Sequence, residues 1–280
     1  MTNTKVALVT GGSSGIGAAT ARELHARGFT VYAAARRLER MRELADSGIR
    51  TLYMDVTDDD SLTGGVKTIL DEAGRVDVLV NNAGYGSYGA LEDVPIDEGR
   101  RQVEVNLIGL TRLIQLVTPH MRRNGSGRII NVSSVGGRSA APFGGWYHAT
   151  KHAVEGLSDS LRLELKPFGV DVAIIEPGAI DTEWDDIAIR HLLETSGSGA
   201  YRAAVHSHAV FLEKAFRRAS SPQVVADAIA HAATAARPKI RYTVPRSAAV
   251  QFFVKRFLSD RTVDRITMSV SRSMGKGDGK

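Results

Sequence analysis

The chain has 280 residues, of which 43% are hydrophobic and 24% charged, close to the globular average and enough to build the sizeable core of one large α/β unit. It contains no cysteine, which excludes a disulfide scaffold, a thiolate metal site and a cysteine nucleophile and agrees with a reducing compartment. The formal net charge is +5, spread over doublets such as Arg36/Arg37, Arg100/Arg101, Arg122/Arg123 and Arg217/Arg218 with a few more in the tail, so a solvated surface is expected and no aromatic-interleaved basic stripe marks a nucleic-acid site.

The N-terminus, MTNTKVALVTGG, lacks the apolar h-region and cleavage site of a signal peptide. No run approaches the ~18–20 apolar residues of a membrane span, and a cytoplasmic protein is expected. KVALVT (5–10) reads as a buried strand, and 16–28 as a helix ending at glycine. TVYAAA (30–35) is the next strand, 38–48 a helix, and TLYMDV (51–56) a third strand. The aspartates of TDDDS open a helix running to about Ala73, where negative charge suits a helix N-terminus. VDVLVNNAG (76–84) is a strand running into a turn, followed by one long helix over 97–123. GRIINVSS (127–134) is a strand, 147–166 a helix and VDVAIIEPG (170–178) a strand.

Near-continuous apolar strands alternating with helices predict a single-domain, doubly wound α/β Rossmann fold, a parallel sheet with helices on both faces, over 1–280. Such sheets bind ligands beyond the carboxyl ends of their strands. The rhythm breaks at 179–221, which holds Trp184, a polar SGSGA at 196–200 and a helical stretch to about Arg218, and 183–221 reads as an irregular substrate lid. A helix at 221–233 and a strand at 240–244 follow, and 245–280 forms an extension with an apolar-basic helix at 248–258 and a frayed MGKGDGK tail. That helix is expected to pack on its own subunit or a partner rather than lie on a membrane.

After the first strand comes TGGSSGIG (10–17). Gly11 and Gly12 permit a tight turn, Gly15 a close approach of backbone to phosphate, and Gly17 close packing of helix on strand. The order is not the common G-x-G-x-x-G, but the strand-to-helix context is the required one. At the end of the second strand an NAD enzyme usually carries an acid for the ribose 2′-hydroxyl. Here the chain reads AAARRLER: Ala35 offers no carboxylate, and Arg36 and Arg37 suit a 2′-phosphate, which predicts NADP(H).

TGGSSGIG, MDV (54–56), NNAG (81–84), VNLIG (105–109), NVSS (131–134), YHATK (147–151) and PG (177–178) occur in this order. Over about residues 4–180 the chain closely resembles the short-chain dehydrogenase/reductase family in its non-extended branch, most like the 17β-hydroxysteroid-dehydrogenase-like reductases. The resemblance implies an NADP(H)-dependent interconversion of a carbonyl and a secondary alcohol, in a homodimer or homotetramer. Tyr147 would be the general acid, with Lys151 four residues on lowering its pKa and holding the nicotinamide ribose. Ser134 would orient the substrate oxygen and Asn106 a water of a proton relay. Gly11, Ser13, Ser14, Gly15, Ile16 and Gly17 would hold the phosphates; Asp55 and Val56 would meet the adenine; Asn82, Ala83 and Gly84 would line its ribose side. Pro177, Gly178, Ile180 and Thr182 would flank the nicotinamide.

The expected substrate is an apolar ketone or aldehyde, steroid-like or similar. Ser134, Tyr147, Phe143 and Trp184 are its expected contacts, with Pro142 and Trp146 beside Phe143 and with Ile187, Leu192, Leu193, Tyr201 and Phe211 in the lid. His148 is expected to be a half-exposed helix residue; His191, His206 and His208 form no metal-ligand pattern, and no catalytic metal is expected. Two other readings are an NAD-linked alcohol dehydrogenase of the same fold and a dinucleotide-sensing protein without turnover.

Overall fold

A computed structural model describes residues 4–250, 252 and 257–275. Seven strands form one parallel sheet in the order β3-β2-β1-β4-β5-β6-β7. They are β1 (Val6–Thr10), β2 (Thr30–Ala35), β3 (Arg50–Tyr53), β4 (Val78–Asn81), β5 (Gly127–Val132), β6 (Val170–Pro177) and β7 (Arg241–Val244). The strand order reverses between β1 and β4, so the loops leaving those two strands diverge and open a crevice at their carboxyl ends.

Alternation along each strand divides the core. Ala7 and Val9 of β1 point to one face, under α1 (Gly15–Ala26), α2 (Arg42–Asp46) and α9 (Gln223–Thr234). Val6 and Leu8 point to the other, under α3 (Asp59–Ala73), α5 (Gly109–Arg123) and α6 (Gly145–Leu165). A third apolar cluster, of Tyr88, Tyr147, Ala188, Leu192, Val205 and Ala209, lies apart from both and joins the expected catalytic tyrosine to the 183–221 segment.

Four sequence expectations change. The long helix at 97–123 is interrupted: α4 (Ile96–Val103) and α5 are joined by a π-helical turn over Glu104–Ile108, which carries Asn106. The segment at 183–221 holds two helices, not one: α7 (Glu183–Ser196) precedes the expected helical stretch, α8 (Arg202–Phe216), and a 3₁₀ turn at Gly199–Tyr201 joins them. Thr182 caps α7, its hydroxyl accepting from the Trp184 amide at 3.3 Å. The strand expected at 51–56 stops at Tyr53, because Asp55 turns the chain by accepting from the amide and hydroxyl of Thr57 at 3.0 and 2.8 Å. Last, α10 (Asp260–Gly275) is a helix where no element was expected. Of the helix expected at 248–258, residues 251 and 253–256 fall outside the described residues, as does the tail from 276 on; Arg246–Ala249, which overlaps its start, is a 3₁₀ turn. Among the described residues no helix is long and apolar enough to cross a membrane.

Candidate active site

The crevice at the β1/β4 reversal opens into a cavity of about 1430 Å³. That exceeds the ~300–1,000 Å³ of a site for one drug-sized ligand, so there is room for two ligands end to end. One end is backbone. Gly11 and Gly15 take positive φ (69° and 50°), which a side chain would strain, and a Cβ at Gly17 would lie 2.1 Å from the Gly11 carbonyl oxygen. The turn therefore presses on the N-terminus of α1, whose N-cap Ser14 leaves the first-turn amides without a side-chain acceptor. Amides open at a helix N-terminus, in a cradle that Cβ atoms would fill, fit a pyrophosphate.

Thr10 ties this loop to the next. Its hydroxyl accepts from the amides of Asn82 and Ala83 at 3.1 and 3.0 Å, and Asn82 Nδ2 donates to the Thr10 carbonyl at 2.9 Å. Sequence reasoning did not single out Thr10; its signal is a hydroxyl at the last position of an otherwise apolar strand. Arg36 and Arg37 leave β2 exposed and line the cavity. Arg37 donates to Ser13 Oγ at 3.3 Å and lies 3.7 Å from Glu183, which Arg40 holds at 2.7 and 2.8 Å. Arg36 makes no ion pair among the described residues. Burial raises the Asp55 pKa, but its bonds from Thr57 and the guanidinium groups of Arg36 and Arg101 bring it below the usual range.

Of the four polar residues of the resemblance, Ser134, Tyr147 and Lys151 line the floor of the cavity, and Asn106 lies buried behind them, outside the lining. One turn of α6 carries Tyr147 and Lys151 on one face, both buried. The Ser134 hydroxyl stands by the Tyr147 phenol and donates to the Pro177 carbonyl at 3.5 Å. The Ser134 oxygen also accepts from the Gly136 amide at 3.0 Å. Lys151 Nζ donates to the Val132 carbonyl at 2.9 Å and lies 5.9 Å from the centre of the Tyr147 ring. The π turn aims Asn106 inward: Oδ1 accepts from the Tyr85 amide at 3.0 Å, and Nδ2 donates to the Tyr85 carbonyl at 2.9 Å and Thr150 Oγ1 at 3.1 Å. A Cβ at Gly84 would stand 3.1 Å from Asn106 Oδ1 and 3.7 Å from Lys151 Nζ, so that glycine lets the two approach one spot. Burial pushes the Tyr147 phenol up to about 12, with the Ser134 bond opposing. Burial pushes Lys151 down to about 8, with Glu155 opposing.

Above this floor stands an aromatic wall. The Trp184 ring centre lies 5.3 Å from Tyr147, 5.7 Å from Tyr88 and 5.9 Å from Phe216. Pro142, Ile187 and Ile180 join the lining, as do Leu212 and Phe216 of α8 and Val263, Ile266 and Met268 of α10. Phe143 and Trp146 do not line it. Phe143, at φ 66°, turns its ring to Tyr201 and His208, and Trp146 packs over Gly99 of α4. His148 also differs from expectation: it is buried, with Nδ1 at 3.0 Å from the Gly136 carbonyl and Nε2 accepting from the Ala141 amide at 3.1 Å. It pins both ends of the 136–141 loop to α6 in one neutral tautomer.

The short chain dehydrogenase family model matches residues 5–190. The chain is a short-chain dehydrogenase. It is 38% identical over 252 residues to the uncharacterized oxidoreductase YusZ of Bacillus subtilis, covering 86% of this chain and 89% of that one. It is 37% identical to human 17-beta-hydroxysteroid dehydrogenase type 1 (85% and 76% covered) and 36% identical to 3-ketodihydrosphingosine reductase of Bacteroides thetaiotaomicron (86% and 87% covered). A short-chain dehydrogenase of Streptomyces avermitilis superposes with a TM-score of 0.79 at 33% identity, covering 98% of this chain and 99% of that one. An alcohol dehydrogenase of Thermococcus sibiricus complexed with 5-hydroxy-NADP superposes with a TM-score of 0.70 at 26% identity (86% and 96% covered). This short-chain dehydrogenase is therefore an oxidoreductase that uses a nicotinamide dinucleotide and has, next to the cofactor crevice, an apolar chamber for a second molecule.

Proposed function

We propose that the protein is an NADP(H)-dependent reductase of an apolar ketone or aldehyde, with Tyr147 as the general acid. The observation that carries this reading is the meeting of Ser134, Tyr147 and Lys151 on the cavity floor, with Asn106 behind them, between the arginine-lined crevice and the Trp184–Tyr88 wall. The nicotinamide supplies the hydride when bound. A carbonyl carbon that accepts it leaves an alkoxide-like oxygen, a stronger base than a phenolate. The Tyr147 phenol, kept protonated by burial, gives that oxygen its proton, and the products are the alcohol and the tyrosinate. The Ser134 hydroxyl, its oxygen already held by the Gly136 amide, donates to the same carbonyl oxygen. Lys151 at about 8 is mostly cationic at neutral pH and stabilises the tyrosinate. Asn106 fixes the Tyr85 backbone beside it and closes the floor.

The likeness to a dehydrogenase of hydroxysteroids and to a reductase of ketodihydrosphingosine supports a large apolar carbonyl substrate. Arg36 and Arg37, with no acid at Ala35, support NADPH over NADH. Arg36→Ala is expected to raise the KM for NADPH about tenfold or more while leaving that for NADH within about twofold. Equal loss for both cofactors, or an NADH preference in the unaltered protein, would remove the 2′-phosphate reading.

A further inference from the structure

His148 follows Tyr147 directly in α6 and takes no part in the proton transfer described above. The Ala141 amide can only donate, so the Nε2 that accepts from it at 3.1 Å carries no proton. The ring proton is therefore on Nδ1, which donates to the Gly136 carbonyl at 3.0 Å. Each of these bonds reaches a part of the site. Gly136 gives its amide to Ser134 Oγ at 3.0 Å and its carbonyl to the imidazole, so one residue separates the ring from the hydroxyl that holds the substrate oxygen. Ala141 precedes Pro142, and both line the cavity. The ring is also closely fitted. A Cβ at Gly136 would stand 2.9 Å from Nδ1 and one at Gly144 2.8 Å from Nε2, so the imidazole fills a slot opened by two glycines. An apolar side chain could fill the same slot, but it would take both bonds from the 136–141 loop.

We propose that His148 is a positioning residue of the reaction: Nδ1 sets Ser134 through Gly136, and Nε2 sets the chamber wall through Ala141 and Pro142. This rests on the reductase reading, in which Ser134 holds the carbonyl oxygen. The two nitrogens divide the work, so Nδ1 governs kcat and Nε2 governs the KM of the carbonyl substrate. Acid acts on one of them only. Burial holds the imidazole below its ordinary 6.5, with the Gly136 bond opposing and His152 adding to the fall. The titratable groups around it are Tyr147 and His152 on α6, Tyr88 beside Gly144 and His208 of α8, none of them a carboxylate. As pH falls below the imidazole pKa, the incoming proton lands on Nε2, against the Ala141 N–H, and that end of the loop is released while the Gly136 bond stays.

The test is kcat and KM for an apolar ketone between about pH 5 and 8, with NADPH binding followed by fluorescence. The variants are His148→Leu, His148→Asn and His148→Gln. Asparagine keeps a donor near the place of Nδ1, and glutamine an acceptor near that of Nε2. His148→Asn is expected to keep kcat within about threefold and to raise KM about threefold or more. His148→Gln is expected to keep KM and to lower kcat about tenfold. His148→Leu is expected to suffer both losses, and all three to bind NADPH as the unaltered protein does. In the unaltered protein KM is expected to rise toward low pH, and in His148→Gln, which has no proton to gain, that rise is expected to vanish. Asparagine and glutamine variants that lose in the same parameter, or a low-pH rise that survives in His148→Gln, would overturn the proposal. Tyr147→Phe separates the two readings. If it is inactive while the His148 variants turn over normally, the positioning alone falls; if it turns over as well as the unaltered protein, the reductase reading falls.

Discussion

Lys151 is the residue whose environment makes the sharpest demand. It is buried, and burial holds its amine at about 8 rather than the ordinary 10.5. Below pH 8 the folded protein must keep a charge out of water; between pH 8 and 10.5 the unfolded chain still binds a proton that the folded chain has released, so stability rises with pH. The cofactor-free protein is expected to gain about 2 kcal/mol relative to Lys151→Met between pH 7.5 and 9.5, read by urea unfolding. A parallel pH dependence of the two proteins would mean that the amine is solvated. That Tyr147 and Lys151 share a face was legible in sequence, since a spacing of four needs only a helix; their role came from the resemblance carried by the other motifs, not from the spacing. His148 between them was not legible. Its partners, the Gly136 carbonyl and the Ala141 amide, come from a loop whose return to α6 no helical period reveals. Phe143 failed for a similar reason: its positive φ sends the ring to His208, and side-chain type alone does not predict that backbone.

At the scale of elements, the sheet was legible almost strand by strand, because a parallel sheet covered on both faces requires apolar runs. The breaks inside elements were not. The π turn at Glu104–Ile108 follows from Asn106 bonding the Tyr85 backbone, a contact 21 residues away in sequence. The edge strand β7 likewise depends on distant partners. Its Arg241 bonds Glu155 at 3.0 Å and Asp159 at 2.6 Å on α6, and lies 3.4 Å from the fully buried Glu176 of β6. Arg241→Met would take from Glu155 its one ion pair among the described residues and leave Glu176 with Arg138 at 3.3 Å and the Thr243 hydroxyl at 2.5 Å. A buried pair broken on one side costs ~3–5 kcal/mol, and the partial exposure of Arg241 and Asp159 lowers this to about 2–3 kcal/mol of lost stability in urea denaturation. A loss under about 0.5 kcal/mol would show that this network does not hold the edge strand.

For the whole molecule, composition and motif order indicated the family and the cofactor crevice, while the walls of the second chamber were poorly legible. Trp184 was found because it is a lone tryptophan after the last motif; Tyr88, Phe216 and the α10 residues that join it come from three separate parts of the chain. Chain-wide charge misled in the opposite sense: the sum was visible at once, but its concentration in residues 245–280 emerges only when the two parts of the chain are counted separately. The central claim is that the floor of Ser134, Tyr147 and Lys151, with Asn106 behind it, transfers a proton to a carbonyl in an NADPH-dependent reduction. The measurement that tests it most directly is NADPH oxidation by the purified protein with ketones and aldehydes graded in size, beside Tyr147→Phe. Turnover is expected to grow with apolar substrate size and to fall by about 10²-fold or more in Tyr147→Phe, with NADPH binding retained. Bound NADPH that no carbonyl oxidises, or turnover that survives the loss of the phenol, would contradict the central claim.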